Sequence, residues 1–437
     1  MRISTLTFIF VLGNALGALI PLHNDNVDIE KRTVEAPQVE QRDALAPLFK
    51  VAAPVKSRFI VVYKDDISDE DKDNEFAWIS SLLARRDGAD TLKSFDIASF
   101  RGYVGNFDDS TVERIRNSGA VKYVEEDAEV EASSITTEST ESWGLARISS
   151  RSLPKDKKYI YDTDGGKGVT TYVVDSGVKT DDPDFEGRAK VGAVIAWSDE
   201  PDSAKAHGTH VAGTVGSKTW GVAKKVDIIS VSVFNPSGKA YISDILKGFE
   251  YCIADHKQKV NAQVKGYRGA TLNMSIGGVK STAWTDGLNA LVDNGIHAVV
   301  AAGNENKQAC DFSPGLSKAI TVGGIDDSDN AYVNMNGGSC VDINAPAVNV
   351  PSVGTSQSPT YMTGTSMASP HVAGLAAYYL SLQPGLGSEF SDSLVAPAEL
   401  RKRLLNIATK DAISNLKKDT PNLLAYNGAS LPGAFWL

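Results

Sequence analysis

The sequence predicts an α/β protein: a mostly parallel β-sheet with helices on both faces, preceded by a small α+β unit. Three observations carry this. From Trp143 onward, short β-branched apolar runs alternate with segments of helical period. Before it, Arg58–Val124 reads as strand, helix, strand, helix, strand, with its own modest core. Between the two lies Ala132–Ser142, almost all Ser, Thr, Glu and Ala, which composition marks as a linker.

The elements follow in order. Met1–Ala18 has one early arginine, an apolar run at Leu6–Leu12 and small residues at Ala15, Gly17 and Ala18. It is too short to span a bilayer and reads as a cleaved secretory signal, residues 1–18. Residues 19–57 are polar, charged and proline-punctuated, a flexible leader containing the dibasic pair Lys31-Arg32. Order begins at the strand Arg58–Lys64, followed by the acidic turn Asp65–Asp71. Phe76, Ile79, Leu82 and Leu83 then share one face of a helix over Glu75–Arg86. Gly102–Phe107 is a strand, Thr111–Asn117 a second helix and Ala120–Val124 a closing strand. Such a unit fits a regulatory or folding module, and equally an unrelated second domain.

In the larger part, Gly168–Val174, Val226–Val233, Ala270–Ser275, Ile296–Ala302 and Ala319–Gly323 read as buried parallel strands. His210–Thr219, Ile242–His256, Trp284–Asn294 and Ser369–Leu382 read as the helices between and after them. Functional loops in such sheets lie beyond the carboxyl ends of the strands. Asp175, Ser275 and Gly303-Asn304 all fall there.

Composition narrows the function classes. The 437 residues carry a net charge of −10, which gives no basic footprint for nucleic acid. After the signal, no apolar run approaches 18 residues, so no membrane association is expected.

The chemistry gathers at three stretches. In Gly364-Thr365-Ser366-Met367-Ala368-Ser369-Pro370-His371, small residues surround a serine where a buried helix begins. A serine hydroxyl needs a neighbouring base to become a nucleophile, and helix-start N–H groups can face a developing oxyanion. Alone, Ser366 would be an ordinary helix cap, and so would Asp175 after its apolar strand. The third stretch, His207-Gly208-Thr209-His210, supplies a base. Its two histidines have no Cys or Glu at ligand spacing, which argues against a zinc site. The order Asp175, His207, Ser366 is that of a subtilisin triad, and the G-x-S-x-G elbow of lipases is absent around Ser366.

With these motifs, Trp143–Gly428 resembles the catalytic domain of subtilisin-like serine proteases, in their proteinase K-like branch. Trp-Gly-Leu-Ala-Arg-Ile-Ser at 143–149, Gly-Lys-Gly-Val-Thr at 166–170 and His-Gly-Thr-His at 207–210 carry the likeness. Ala-Ala-Gly-Asn-Glu-Asn at 301–306 and Gly-Thr-Ser-Met-Ala-Ser-Pro-His-Val-Ala-Gly-Leu at 364–375 complete it. Residues 58–132 are similar to the inhibitor propeptide of these proteases, 133–142 form the linker, 143–428 the peptidase domain and 429–437 a tail.

The resemblance implies a serine endopeptidase acting on polypeptides, with broad specificity and an apolar or aromatic preference. Ser366 would be the nucleophile, His207 the general base, Asp175 its orienting acid and Asn304 the side-chain oxyanion donor. Ser275-Ile276-Gly277 and Ser237-Gly238-Lys239-Ala240 would line the cleft as two strands that pair with an extended substrate. Cys310 and Cys340 match a disulfide of some relatives, worth roughly 3–4 kcal/mol on a chain-entropy estimate. Cys252 reads as a buried free thiol. No cofactor is required, although Asp342, with the Ser317 and Ala319 carbonyls, matches a structural calcium position. The sequon Asn273-Met274-Ser275 lies in the substrate strand and is expected to be unmodified.

Four departures bear on activity. Ala206 stands before the histidine where relatives carry glycine or a small polar residue, and Pro201–Lys205 replaces their acidic, glycine-rich approach. Ala345-Pro346-Ala347 replaces Ala-Pro-Gly, and Val333-Asn334-Met335-Asn336 replaces Ser-Asn-x-Gly. They motivate an alternative, a catalytically impaired peptide-binding protein. The family pattern further implies a monomeric precursor in the secretory pathway, bound for vacuole or medium. Its propeptide would assist folding, inhibit the enzyme and be cut off autocatalytically near Ala132-Ser133.

Overall fold

The computed structural model describes residues 45–51, 54–83, 92–97, 100–128, 135–199, 201–386, 393–429 and 431–436. The segment expected to be a signal, Lys31-Arg32 and the expected cut at Ala132-Ser133 lie outside the described residues. The chain divides into two compact units, with the boundary between Asp127 and Ala128.

The smaller unit is α+β, as expected, with additions. Its strands are β1 (Leu48–Phe49), β2 (Pro54–Tyr63), β3 (Lys93–Ile97), β4 (Phe100–Asn106) and β5 (Val121–Ala128); its helices are α1 (Asp69–Leu83) and α2 (Asp109–Arg116). They form a sheet of order β1-β5-β2-β4-β3. The segment read as leader therefore contributes β1 and the first residues of β2, and Ala46 is fully buried beside them. The acidic stretch read as a turn starts α1 instead. Asp69, Glu70 and Asp71 fill its first turn, where the helix dipole favours negative charge. Ser68 caps it, accepting from the Asp71 N–H at 3.0 Å while donating to the Asp71 carboxylate at 2.7 Å. Phe59, Val61, Trp78, Ile79, Tyr103, Phe107, Ile115 and Val121 form the core.

The larger unit is built on a nine-stranded sheet among its described residues. In chain order its elements are β6 (Ile135–Ser139), α3 (Trp143–Ile148), β7 (Lys158–Asp162), β8 (Val169–Asp175), β9 (Ala189–Val194), α4 (Ala206–Gly216) and β10 (Asp227–Ser232). Then come α5 (Ile242–Asn261), β11 (Gly269–Met274), β12 (Gly278–Val279), α6 (Thr282–Asp293), β13 (Ile296–Ala301), β14 (Phe312–Ser313) and β15 (Ile320–Ile325). The last are β16 (Ile343–Pro346), β17 (Val350–Ser352), β18 (Thr360–Met362), α7 (Thr365–Ser381), α8 (Pro397–Ile407), β19 (Thr409–Lys410) and β20 (Leu423–Leu424). The main sheet has the order β19-β20-β16-β15-β13-β11-β8-β10-β9, parallel throughout except for the β19–β20 pair.

Both faces of this sheet are covered, and alternation along β8 and β13 shows it. Val173 and Val299 join the cluster under α4 and α7, containing Val211, Val215, Val372 and Leu375. Their neighbours Tyr172, Val174 and Val300 point the other way, onto Phe249 of α5 and Leu288 and Leu291 of α6. In α7 every residue except Ser366 is buried, as a helix apolar all round requires.

Part of the segment read as linker is ordered. β6 pairs antiparallel with β7 from Ile135↔Asp162 to Ser139↔Lys158. Glu138 on β6 makes an ion pair with buried Lys224 at 2.9 Å and accepts from the Tyr161 hydroxyl at 2.9 Å. Thr and Ser are neutral in composition terms, but Ile-Thr-Thr-Glu-Ser alternates well enough to fill an edge.

Four histidines of this unit are buried as neutral rings. Burial pushes His210, His256 and His371 down to about 4 and His297 to about 3. Unfolding releases rings that protonate near 6.5, so between about 6.5 and 4 the unfolded chain binds more protons. The stability these four rings contribute to the larger unit is therefore complete above about 6.5 and falls as pH drops through that window. In the smaller unit, burial raises Glu75 to about 7, so its contribution is present below about 4.5 and is lost as pH rises through 7. Thermal unfolding of the Ser366→Ala chain from pH 4 to 8 should show opposite slopes for the two units, and His297→Gln should flatten the acid side.

Candidate active site

The site lies at the carboxyl ends of β8, β11 and β13 and at the starts of α4 and α7. β8 ends at Asp175, fully buried, whose Oδ1 accepts from its neighbour's N–H (Ser176) at 2.7 Å and lies 2.7 Å from His207 Nδ1. His207 is the second residue of α4, which begins four residues before the expected start. Gly208 lets this helix sit against the β8 loop, because a Cβ there would come within 2.1 Å of the Gly177 carbonyl. Ala206 has ordinary right-handed helical angles (φ −57°, ψ −43°), so the missing glycine imposes no strain on the approach to His207.

Burial alone would lower the His207 pKa. The Asp175 charge and the hydrogen bond to it outweigh that and raise the ring above its usual 6.5. It is the reverse of the shift in the four buried histidines. In this pairing Nδ1 carries the proton and Nε2 is left as the base.

Ser366 is the second residue of α7, at a helix start that reaches four residues further back than expected. Its hydroxyl donates to the Ser275 carbonyl at 3.3 Å, with no hydrogen bond to His207 among the described residues. Gly364 at φ +149° turns the chain into the helix, in a region that favours glycine. Asn304, in the loop after β13, accepts through Oδ1 from the Thr365 N–H at 2.9 Å and hydroxyl at 3.0 Å. Those bonds fix the amide's orientation and leave Nδ2 as a donor on the cleft.

Two supports were not anticipated. Thr365, next to the serine in the same motif, also accepts from the Gly303 N–H at 3.1 Å. Asn336, fully buried, accepts from the N–H groups of Glu305 and Lys307 and donates to the Ala302 carbonyl at 3.1 Å, pinning the Asn304 loop. Its position in the variant Val333–Asn336 segment was the available signal.

His207, Ser366, Asn304 and Ser275–Gly277 line one cleft of about 1160 Å³. Gly238, Lys239 and Ala240 line it too. Ser237 does not: its N–H and hydroxyl bond back to Asn235 Oδ1 at 3.0 and 2.6 Å, closing the turn before the lining residues. Trp197, Phe234, Ile245 and Trp284 add an apolar lining that the motifs did not indicate.

The remaining candidates lie away from the cleft. Cys310 and Cys340 form a disulfide, with Cα atoms 5.4 Å apart. Cys252 is a free, fully buried thiol whose pKa burial raises. Asn273 of the sequon is fully buried. The Asp342 carboxylate is taken up by Arg401 Nη2 at 2.5 Å and the Thr321 N–H at 2.9 Å. A calcium ion would have to displace that guanidinium, so these residues do not fit the ion as they stand.

Comparison with known proteins agrees with this geometry. Residues 166–424 match the Subtilase family, and residues 58–133 match Peptidase inhibitor I9. Cerevisin of Saccharomyces cerevisiae is 46% identical over 355 residues, covering 78% of this chain and 56% of cerevisin. Subtilisin-like protease 3 of the same yeast is 42% identical over 398 residues, covering 87% of this chain and 83% of that protein. A crystal structure of a cold adapted subtilisin-like serine proteinase superposes with a TM-score of 0.58 at 36% identity, covering 65% of this chain and 97% of that one. The chain belongs to the subtilase family. It is a subtilisin-like serine endopeptidase with an N-terminal I9 inhibitor domain.

The electrostatics of His207 can be read directly. NMR titration of its ring in the Ser366→Ala chain should give a midpoint above 6.5. In the further variant Asp175→Asn, burial acts alone and the midpoint should fall below 6.5.

Proposed function

We propose that this chain hydrolyses peptide bonds through Asp175, His207 and Ser366 and matures by removing its own N-terminal domain. The observation that carries the reading is the convergence in one cleft of an Asp175-oriented imidazole, Ser366 at a helix start and the Asn304 amide, held through its Oδ1 by Thr365. Ser366 Oγ bonds to the substrate carbonyl carbon while His207 Nε2 takes its proton. The carbonyl oxygen becomes an oxyanion that Asn304 Nδ2 supports. His207 then returns the proton to the leaving amine as the C–N bond breaks. A water molecule, deprotonated by the same ring, releases the acyl group and restores the serine. Asp175 keeps the ring's tautomer and balances its transient charge.

The substrate is an extended polypeptide laid between Ser275–Gly277 and Gly238–Ala240, where backbone pairing leaves specificity broad. The apolar lining favours apolar or aromatic side chains. The I9 domain is the chain's own inhibitor, cut near Ala132-Ser133. The early apolar segment directs the precursor into the secretory pathway, to vacuole or exterior, and the enzyme works as a monomer without a required cofactor. Among the described residues, no helix is long and apolar enough to cross a membrane. The alternative of an impaired peptide-binding protein gains nothing here, since Ala206 leaves the Asp175–His207 pair intact.

Expression of the full precursor beside Ser366→Ala, with both N-termini read by intact mass, tests the reading. The parent should shorten near residue 132 while Ser366→Ala stays whole. If both stay whole and the parent cleaves no peptide, the reading fails. Asn304→Ala should lower kcat by about 10²–10³ with a small change in KM.

A further inference from the structure

The start of α7 lacks one hydrogen bond that its own backbone cannot make. Pro370 lies inside this helix and has no N–H to give to the carbonyl four residues back, which belongs to Ser366. That carbonyl is nevertheless paired: Ser275 Oγ donates to it at 2.8 Å. A hydroxyl has one proton, so with it committed Ser275 Oγ can only accept elsewhere. Asn273 Nδ2 donates to it at 3.0 Å, and Asn273 Oδ1 accepts from Ser369 Oγ at 2.7 Å. Reversing the Asn273 amide would draw the Ser275 proton toward it and leave the Ser366 carbonyl bare, so one proton arrangement satisfies the whole chain of groups. Asn273 and Ser369 are fully buried and Ser275 is 6% exposed, out of reach of competing water. The two serines are joined twice, because Ser366 Oγ donates in turn to the Ser275 carbonyl.

We propose that Ser275 is a positioning residue for Ser366, its hydroxyl standing in for the helix hydrogen bond that Pro370 cannot make, with Asn273 and Ser369 fixing that hydroxyl's direction. This rests on the reading of Ser366 as the nucleophile. Without the hydroxyl, the Ser366 carbonyl is unpaired and the first turn of α7 can shift, moving Oγ relative to His207 and Asn304. Substrate pairing uses the backbone of Ser275–Gly277, which truncation of the side chain leaves in place. The loss should therefore appear in kcat and not in KM.

The test measures kcat and KM on a chromogenic peptide amide, the rate of labelling by a fluorophosphonate and the thermal midpoint, starting from the full precursor. Ser275→Ala should lower kcat and labelling by about ten- to a hundredfold, with KM within about twofold. Pro370→Ala returns an N–H to the Ser366 carbonyl, and in that background Ser275→Ala should cost less than about threefold. Adding Asn273→Ala to Ser275→Ala should lower kcat no further. The proposal is overturned if Ser275→Ala keeps kcat within about twofold, or if its cost is the same beside Pro370→Ala. Should Ser275→Ala fail to fold, the Pro370→Ala pair decides, and a double variant that also fails overturns it. Ser366→Ala separates the two levels: if it hydrolyses the peptide as fast as the parent, the nucleophile reading itself falls.

Discussion

Burial of α7 fixes where Ser366 stands. Apart from Ser366, the helix presents no residue to solvent, so its register is set by close packing against the sheet and α4. The half-buried serine is the tip of a rigid element, held by the same contacts that form the core. Asn304 reaches that tip through Thr365, and Ser275 reaches it from the end of β11. Three strands and two helices thus meet over a few residues, and none of them can move without disturbing the core.

Charge is managed on a different rule from packing. Among the described histidines the half-buried ring at the cleft is the one with a carboxylate partner, and its affinity for protons rises while those of the buried rings fall. Asp175 achieves this because it is itself wholly buried, where a pair interaction is poorly screened. Among the described residues, burial without a carboxylate partner makes His297 and His371 neutral packing groups, bonded only to backbone carbonyls. Identity of the side chain says little about its role here; the neighbour decides.

The five central strands were legible because both faces of a parallel sheet are buried and leave continuous apolar runs. The grouping of Asp175, His207 and Ser366 at one end of the sheet was legible because each sits in a short motif at a strand or helix end. What escaped was held by geometry with weak local patterns. β16 is short, β9 is a largely exposed edge strand with no continuous apolar run, β6 hides in a Ser/Thr-rich segment, and α1 begins in acids that look like a turn until the dipole is considered. Ser237 was included by contiguity with its neighbours, yet its own turn draws it away from the cleft. Thr365 and Asn336 act only through residues distant in sequence, so no spacing announced them. Asp342 shows the converse, a motif position whose neighbour Arg401 changes its chemistry.

The pairing of β6 with β7 has a consequence for the ends of the molecule. Ile135 is already hydrogen-bonded into an edge ladder, and Glu138 is tied to Lys224 three residues on. A new amino terminus created just upstream would therefore be a very short stub on a fastened strand. Exopeptidases nibbling inward would meet paired backbone almost at once, so preparations cut at slightly different bonds would converge on one trimmed species.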